Sequence, residues 1–308
     1  MATLECIALH TRKICQIPAQ TVICLGNFDG VHLAHRKLLR IAVKHRNSDF
    51  ADAACCVLCF RTPSSDYLSK APAAHLCTLE QKLDRFAEEG IKYAILCDFP
   101  NIRALSPKEF AEEILRDGCH CVAAVCGFNY RFGKNGAGSA AQLQTLLQCP
   151  VFVQQEITLC GDTVSSTRIR NLLSEGDTEA ATKLLTVPFS VCAKVVHGKA
   201  LGHRMGIPTI NQFFPDGLLI PRHGVYITDC EIDGQTVRGI SNVGVHPTVD
   251  SKACVNCETH LLNFDREIYG RTVTVRFLKF LRHEQKFDSL EALTKQIYAD
   301  IDAARQYP

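Results

Sequence analysis

Short, mainly apolar runs alternate with amphipathic segments along the first half of the chain. These runs occupy residues 21–25, 53–60, 93–99 and 121–127. Strands that are apolar throughout are typical of parallel sheets buried on both faces, whereas half-exposed strands alternate polar and apolar residues. The pattern therefore predicts an α/β domain, in which helices cover both faces of a parallel sheet.

The segments between these runs carry helix signals. Segments 35–46, 78–90 and 106–118 have apolar residues at helical spacing. Thr78 and Ser106 are expected to cap the second and third helices, because their hydroxyls can accept from free backbone amides. Ligands of such sheets bind beyond the carboxyl ends of the strands. The sequence therefore places a candidate site where the four apolar runs end.

The pattern changes near residues 183–189. Later strands are short, partly alternating, and separated by Gly, Pro, Asn and Asp. Asp233 followed by Gly234 is a strong hairpin signal. The second part is therefore predicted to be an antiparallel β domain, a small barrel. We expect two domains, 1–186 and 187–308.

The last segment, 288–306, predicts an amphipathic helix. Asp288 and Glu291 have the spacing of a capping box. The apolar stripe along one face of this helix would consist of Leu290, Leu293, Ile297 and Ile301.

Charge and hydropathy give no indication of a nucleic-acid or membrane partner. The formal net charge is +2, too small for broad electrostatic attraction to either. No apolar run approaches the roughly 18–20 residues of a spanning helix. The N-terminal "MATLECIALHTRK" lacks the basic and apolar regions of a secretory signal. We expect a cytoplasmic protein.

The chain has 17 cysteines, most of them inside the apolar runs. Free cysteine behaves as a small buried hydrophobe, which is the expected state in a reducing cytoplasm. Cys254 and Cys257 form a lone C-x-x-C. Without a second pair, this spacing predicts neither a zinc site nor redox chemistry.

The loop "GNFDGVHLAH", residues 26–35, joins the first strong strand to a helix. Backbone N–H groups and the helix dipole favour an anion there. His32 and His35 share one helix face and can both point at that anion. Zinc is an alternative, although no third ligand has a suggestive spacing, and a simple turn is another. The turn that would bind phosphate consists of Gly26, Asn27, Phe28, Asp29 and Gly30.

A second anion signal is the segment "VSSTRIR". Ser165, Ser166 and Thr167 would cap a helix, with Arg168 and Arg170 in its first turn. Arginine there is unfavourable to the helix dipole. The arrangement makes more sense if an anion lies between the two arginines.

These motifs together resemble the bacterial bifunctional riboflavin kinase/FAD synthetases. G-N-F-D-G-V-H-x-x-H, S-S-T-R-I-R and segment 127–138 resemble the nucleotidylyltransferase half of that family. Segment 195–211 resembles its glycine-rich kinase loop and P-T-x-N motif, and further motifs follow in family order. The resemblance covers nearly the whole chain. It implies a Rossmann-like nucleotidylyltransferase domain, then a six-stranded riboflavin kinase barrel with a C-terminal helix.

For the kinase domain, the resemblance implies transfer of the ATP γ-phosphate to the riboflavin 5′-hydroxyl with Mg²⁺. Thr209 and Asn211 match the residues that bind metal and phosphate, and Glu258 matches the catalytic base. Arg282 would contact the flavin or order the C-terminal helix. From the residues alone, Thr209 and Asn211 could be ordinary turn residues, and Glu258 could be a charge on the sheet surface. The glycines of the nucleotide loop would be Gly198, Gly202 and Gly206.

For the first domain, the resemblance implies transfer of AMP from ATP to FMN, with release of pyrophosphate. His32 and His35 would stabilise charge on the phosphates. Asn129 and Arg131 would line the flavin cleft. The implied partners are the small molecules riboflavin, FMN and ATP. We expect the protein to be a monomer or a weak homo-oligomer. The residues holding the triphosphate would be Ser165, Ser166, Thr167 and Arg168.

The departures from the family pattern concentrate in the first domain. Ala34 replaces the usual glycine between the histidines, and segment 60–66 loses an acidic residue and a histidine. Asn129 stands where Asp is frequent, and His246 replaces a frequent Arg. Ala34 is tolerable on helical backbone but obstructs if φ is positive or if ATP packs on its Cα. The alternatives are a riboflavin kinase with a degenerate adenylyltransferase domain, and a non-enzymatic flavin-binding regulator or RNA-binding protein.

Overall fold

Two units make up the fold in the computed structural model. The first comprises Met1–Ala73 and Thr78–Ser165, and the second comprises Ala74–Cys77 and Ser166–Pro308. The structure describes residues 4–9, 17, 19–62, 65–197, 207–247 and 253–308.

The first unit is built on a parallel sheet, as predicted. Its six long strands run in the order β1-β4-β3-β2-β5-β8, and every neighbouring pair is parallel. All the carboxyl ends of these strands therefore lie at one edge. The strands, with the short β6, β7, β9 and β10, are β1 (Glu5–Leu9), β2 (Thr21–Leu25), β3 (Ala54–Phe60), β4 (Tyr93–Cys97), β5 (Cys121–Gly127), β6 (Arg131–Phe132), β7 (Gly138–Ser139), β8 (Val151–Gln154), β9 (Thr158–Leu159) and β10 (Asp162–Thr163).

Helices cover both faces of this sheet. Alternate residues of β2 enter different apolar clusters, Ile23 on one side and Val22 on the other. Capping boxes form at Thr78 and Ser106, as their hydroxyl side chains predicted. The helices are α1 (Leu33–Ser48), α2 (Ser65–Leu68), α3 (Leu79–Glu88), α4 (Phe99–Ile102), α5 (Pro107–Glu109), which continues as a π-helix (Phe110–Gly118), and α6 (Ala140–Leu147).

The second unit contains the predicted antiparallel barrel. Its strand order is β11-β16-β13-β14-β15-β12, and the Val196 N–H donates to the Asn211 carbonyl at 2.8 Å, which joins the two ends of the sheet. Asp233 and Gly234 form the predicted hairpin turn with φ of 53° and 75°. The strands are β11 (Phe189–Lys194), β12 (Ile210–Phe213), β13 (Gly224–Ile232), β14 (Gln235–Pro247), β15 (Ala253–Leu261) and β16 (Thr272–Arg282).

Two helices precede the barrel and belong to the same unit. They are α7 (Ser166–Glu175) and α8 (Thr178–Leu185). The Thr178 hydroxyl at the start of α8 donates to the Leu278 carbonyl on β16 at 2.9 Å. The helices α7 and α8 therefore pack with the barrel, and the main segment of the second unit starts at Ser166. The predicted boundary between the functional domains, at 186/187, stays a prediction.

The C-terminal helix, α9 (Leu290–Gln306), corrects one sequence prediction. Its cap is Ser289, whose hydroxyl accepts from the Ala292 N–H at 3.2 Å. The predicted Asp288–Glu291 capping box is wrong, because the helix begins one residue later than that pattern requires. Ile301 is buried on the barrel as predicted, but Leu290 in the first turn is 61% exposed.

Every cysteine within the described ranges is free, and most are buried. Burial raises the pKa of the Cys24 and Cys56 thiols well above the ordinary value. Cys254 is exposed on β15 whereas Cys257 is buried. Within the part of the chain that the structure describes, no cluster of three His, Cys, Asp or Glu side chains could hold a metal ion.

Among the described helices, none is both long and apolar enough to span a membrane.

Candidate functional sites

The loop that follows β2 has an unusual backbone. Phe28 and Val31 adopt positive φ values of 52° and 41°, and Gly30 between them has φ 78°. Phe28 is fully buried and meets the Phe86 ring edge-on, with 5.3 Å between centroids. Left-handed non-glycine residues cost about 1–3 kcal/mol each and persist where packing over-determines them. The turn is therefore a fixed, strained element at the carboxyl edge of the sheet.

The two histidines of this loop lie together, as their spacing predicted. His32 precedes the first residue of α1 and His35 lies in its first turn. Their rings stack with 3.7 Å between centroids and 14° between planes. Burial, followed by the electrostatic effects of His32 and Lys82, holds the pKa of His35 well below its ordinary value. His35 is therefore neutral at pH 7, and one ring nitrogen carries a hydrogen that can be donated.

Two cationic side chains of α3 donate hydrogen bonds to backbone carbonyls of the loop, and the sequence did not indicate either contact. Lys82 Nζ donates to the Asn27 carbonyl at 3.1 Å, and Arg85 Nη1 donates to the Gly30 carbonyl at 2.6 Å. Both belong to α3 and are only 4% and 7% exposed. The available signal was their place on the helix face that also carries Phe86.

Ala34 lies in an ordinary helical turn. Helix α1 begins at Leu33, and Ala34 is not among the residues with positive φ. Its carbonyl accepts a hydrogen bond of 3.0 Å from Nε2 of Gln154, at the end of β8. The backbone at this position therefore does not require glycine.

Other predicted residues occupy the same edge of the sheet. Asn129 follows β5 and Arg131 begins β6, and both are exposed. After β3, Phe60 meets Phe99 edge-on at 5.4 Å, and Tyr67 stacks on Phe99 at 5.9 Å. Pro63, which matches the family pattern, lies outside the described residues.

The "VSSTRIR" motif forms a helix start, as predicted. Ser165 precedes α7, and Ser166, Thr167 and Arg168 form its first turn. Arg170 Nε donates to the Ala74 carbonyl at 2.7 Å. The structure therefore commits this Nε–H to a backbone group, and an anion between Arg168 and Arg170 stays a prediction.

The second unit has its own cavity, of about 300 Å³. Thr209, Asn211 and Glu258 belong to its lining and form what we call its polar part. The Thr209 hydroxyl donates to Oε1 of Glu258 at 2.6 Å, and Oδ1 of Asn211 accepts from Nδ2 of Asn256 at 2.9 Å. The apolar residues of the lining are Ile207, Val225, Ile240, Phe287, Leu293 and Ile297.

The polar part of this cavity suits a hard cation. Its donors are hydroxyl, amide and carboxylate oxygens, which magnesium prefers. Thr209, Asn211 and Glu258 come together because Asn211 and Glu258 are paired across β12 and β15. Oδ1 of Asn256 is buried and has no hydrogen-bond partner among the described residues. Gly198, Gly202 and Gly206 lie outside the described residues.

Arg282 joins the barrel to its C-terminal helix. Its Nε and Nη2 donate to the carboxylate of Asp300 at 2.7–3.1 Å, and Gln296 Nε2 donates to the same carboxylate at 3.0 Å. Asp300 is 5% exposed. Arg282 therefore contacts the C-terminal helix, and its side chain also lines the cavity, so a contact with the flavin stays a prediction.

A strained turn at the edge of a parallel sheet and a barrel cavity with clustered oxygen ligands give the chain two candidate sites, one in each unit. The FAD synthetase family model matches residues 14–168, and the riboflavin kinase model matches residues 185–308. The chain is 35% identical over 287 residues to the bifunctional riboflavin kinase/FMN adenylyltransferase of Pseudomonas fluorescens, covering 92% of each. It is 31% identical to that of Bacillus subtilis (strain 168), covering 94% of this chain and 93% of the relative. The chain therefore belongs to the bifunctional riboflavin kinase/FMN adenylyltransferase family.

A solved structure is also similar along nearly the whole chain. It is described as "Crystal Structure of Macrolide-efflux Protein from Streptococcus pneumoniae". The TM-score is 0.91 at 30% identity, and the match covers 98% of this chain and 99% of that one. The fold is therefore shared from end to end.

Proposed function

We propose that this chain phosphorylates riboflavin to FMN in the barrel cavity and then transfers AMP from ATP to FMN at the turn after β2. ATP is the co-substrate of both steps. The observation that carries the proposal is that one chain holds both the stacked His32–His35 pair and the Thr209–Glu258 hydrogen bond. The functional domains would be 1–186 and 187–308, and the riboflavin kinase match from residue 185 supports that division.

In the kinase step, the apolar residues of the cavity would hold the flavin ring and its polar part would receive the 5′-hydroxyl. Glu258 would take the proton of the riboflavin 5′-hydroxyl. The hydroxyl oxygen would attack the γ-phosphorus of ATP, and ADP would leave. Thr209 and Asn211 would hold Mg²⁺, which offsets negative charge on the phosphates. The Thr209 hydroxyl, by donating to Glu258, fixes that carboxylate and keeps its own lone pairs available. The glycines proposed to approach ATP are Gly198, Gly202 and Gly206.

In the adenylyl step, a phosphate oxygen of FMN attacks the α-phosphorus of ATP. The bond from that phosphorus to the bridging oxygen breaks, and pyrophosphate leaves. His32 and His35 would donate hydrogen bonds to the phosphates, and Asn129 and Arg131 would line the flavin cleft. The groups proposed to cradle the triphosphate are Gly26, Asn27, Phe28, Asp29, Gly30, Ser165, Ser166, Thr167 and Arg168.

The same proposal covers the setting of the enzyme. Its partners are small molecules, and nucleic acid and membranes are not among them. The net charge of +2 supports this. We place the enzyme in the cytoplasm as a monomer or weak homo-oligomer, where its free, buried cysteines stay reduced.

Product chromatography tests the proposal. Riboflavin with ATP and Mg²⁺ should give FMN and then FAD, and FMN with ATP and Mg²⁺ should give FAD directly. FMN without FAD would favour the kinase-only alternative, which the altered 60–66 segment motivates. Neither product would favour the non-enzymatic alternative.

A further inference from the structure

Lys82 is a buried lysine that has no carboxylate partner in the part of the chain that the structure describes. The side chain is 4% exposed, and its hydrogen bond goes to the Asn27 carbonyl. Among the described residues, no Asp or Glu forms an ion pair with Lys82. Removing such a charge from water is unfavourable by several kcal/mol, and no ion pair offsets that penalty here. Stability alone therefore does not explain a lysine at this position.

The place of Lys82 points to a task at the turn. Lys82 donates to the carbonyl of Asn27, the residue before the left-handed Phe28. Arg85 donates to the carbonyl of Gly30, two residues after Phe28. The peptide unit is planar and trans, so the Phe28 N–H points away from Lys82. Lys82 therefore sets the direction of one N–H group in the turn and adds positive charge behind it.

We propose that Lys82 is a positioning residue of the adenylyltransferase site, which fixes the Asn27–Phe28 peptide and supplies buried positive charge behind the turn that receives the triphosphate. This inference rests on the proposed function of the first unit. The step it supports develops negative charge on phosphate oxygens, and preorganised positive charge in a water-poor site favours such a step.

The charge state of His35 supports this role. The titratable groups that act on its ring in the described structure are His32, before α1, and Lys82, on α3. Positive charge on Lys82 contributes to the lowered pKa of His35, after burial and His32. Removing that charge should raise the pKa of His35. The other cations nearby are committed elsewhere: Arg85 bonds Gly30, and Arg36 pairs with Glu88 and Glu89.

The test compares Lys82→Met, Lys82→Gln and Lys82→Arg with the wild type in the full chain. Lys44→Met, an exposed lysine on α1, is the matched control. The readouts are kcat and KM for FMN adenylylation, riboflavin phosphorylation in the same preparations, the melting temperature, and the pKa of His35 by NMR. The melting temperature reports whether each variant is folded, and the kinase reaction shows whether the effect is confined to adenylylation.

We expect kcat/KM for adenylylation to fall about tenfold to a hundredfold in Lys82→Met, as for a small displacement of catalytic groups. The kcat/KM for adenylylation should fall less in Lys82→Gln, because glutamine keeps a hydrogen-bond donor. Lys82→Arg should retain most of the wild-type activity. Riboflavin phosphorylation should stay at the wild-type rate. The pKa of His35 should rise in Lys82→Met and Lys82→Gln.

Unchanged adenylylation in Lys82→Met would overturn the inference, as would an unchanged pKa of His35. A loss of adenylylation that is matched by a lower melting temperature in Lys82→Met, and by the same losses in Lys82→Arg, would also overturn it, since a general folding role predicts both. If the wild type makes no FAD, the proposed function itself fails. The pKa comparison then still decides whether Lys82 acts on His35.

Discussion

Ala34 shows how one backbone angle settles a question that a motif raises. It lies in the first turn of α1 with helical geometry, so its methyl group meets no conformational barrier. We expect Ala34→Gly to leave FAD formation from FMN unchanged. It should lower the free energy of unfolding by about 0.5–1 kcal/mol, because glycine weakens helices. Steady-state assays and chemical denaturation measure the two effects, and a clear rise in FAD formation would mean that the methyl obstructs ATP.

His35 should make the first unit sensitive to mild acid. Its pKa is lowered in the folded state, so the unfolded chain binds the proton more readily. Stability should therefore fall as the pH drops below about 6.5, the ordinary histidine pKa. We expect His35→Gln to reduce the loss of melting temperature between pH 7 and pH 5. His45→Gln, at a partly exposed histidine of α1, is the control, and equal acid sensitivity in wild type and His35→Gln would contradict the prediction.

At the scale of elements, the cap of α9 is open to a direct test. Ser289→Ala removes a hydrogen bond to the Ala292 N–H and should lower the free energy of unfolding by about 1 kcal/mol. Asp288→Ala, one residue earlier, should change it by a few tenths at most. Chemical denaturation of both variants measures the difference. A larger loss in Asp288→Ala would restore the capping box that the sequence suggested.

Local patterns predicted most elements well. The continuous apolar runs became the parallel strands of the first unit, and Thr78 and Ser106 became caps with full capping boxes. The error at α9 has the same local origin. Asp288 and Ser289 are adjacent residues that can both act as caps, and only the packing of the helix decides between them.

The candidate sites were predictable as motifs but not as contacts. The stacked rings of His32 and His35 follow from their spacing. The role of Lys82 does not, because a lysine on an amphipathic helix is normally solvated and its burial here depends on packing against the turn after β2. The Arg282–Asp300 ion pair likewise joins β16 to α9. The periodicity of apolar residues within each segment does not predict that these two side chains meet.

At the scale of the whole molecule, the central claim is that one chain carries two separable reactions. The groups proposed for phosphorylation lie on β12 and β15, whereas the histidine pair lies between β2 and α1. Each reaction should therefore be removable without the other. Removing a general base typically lowers a rate about 10²- to 10⁴-fold, so Glu258→Gln should block FMN formation and still convert FMN to FAD.

The most direct test mixes two variants, Glu258→Gln and His35→Ala, and supplies riboflavin, ATP and Mg²⁺. Alone, Glu258→Gln should give neither FMN nor FAD, and His35→Ala should accumulate FMN. Together they should produce FAD, because FMN released by one variant is adenylylated by the other. Glu267→Gln, at an exposed glutamate, is the control and should behave as the wild type. Loss of FMN formation in His35→Ala, or a mixture that forms no FAD, would contradict the account.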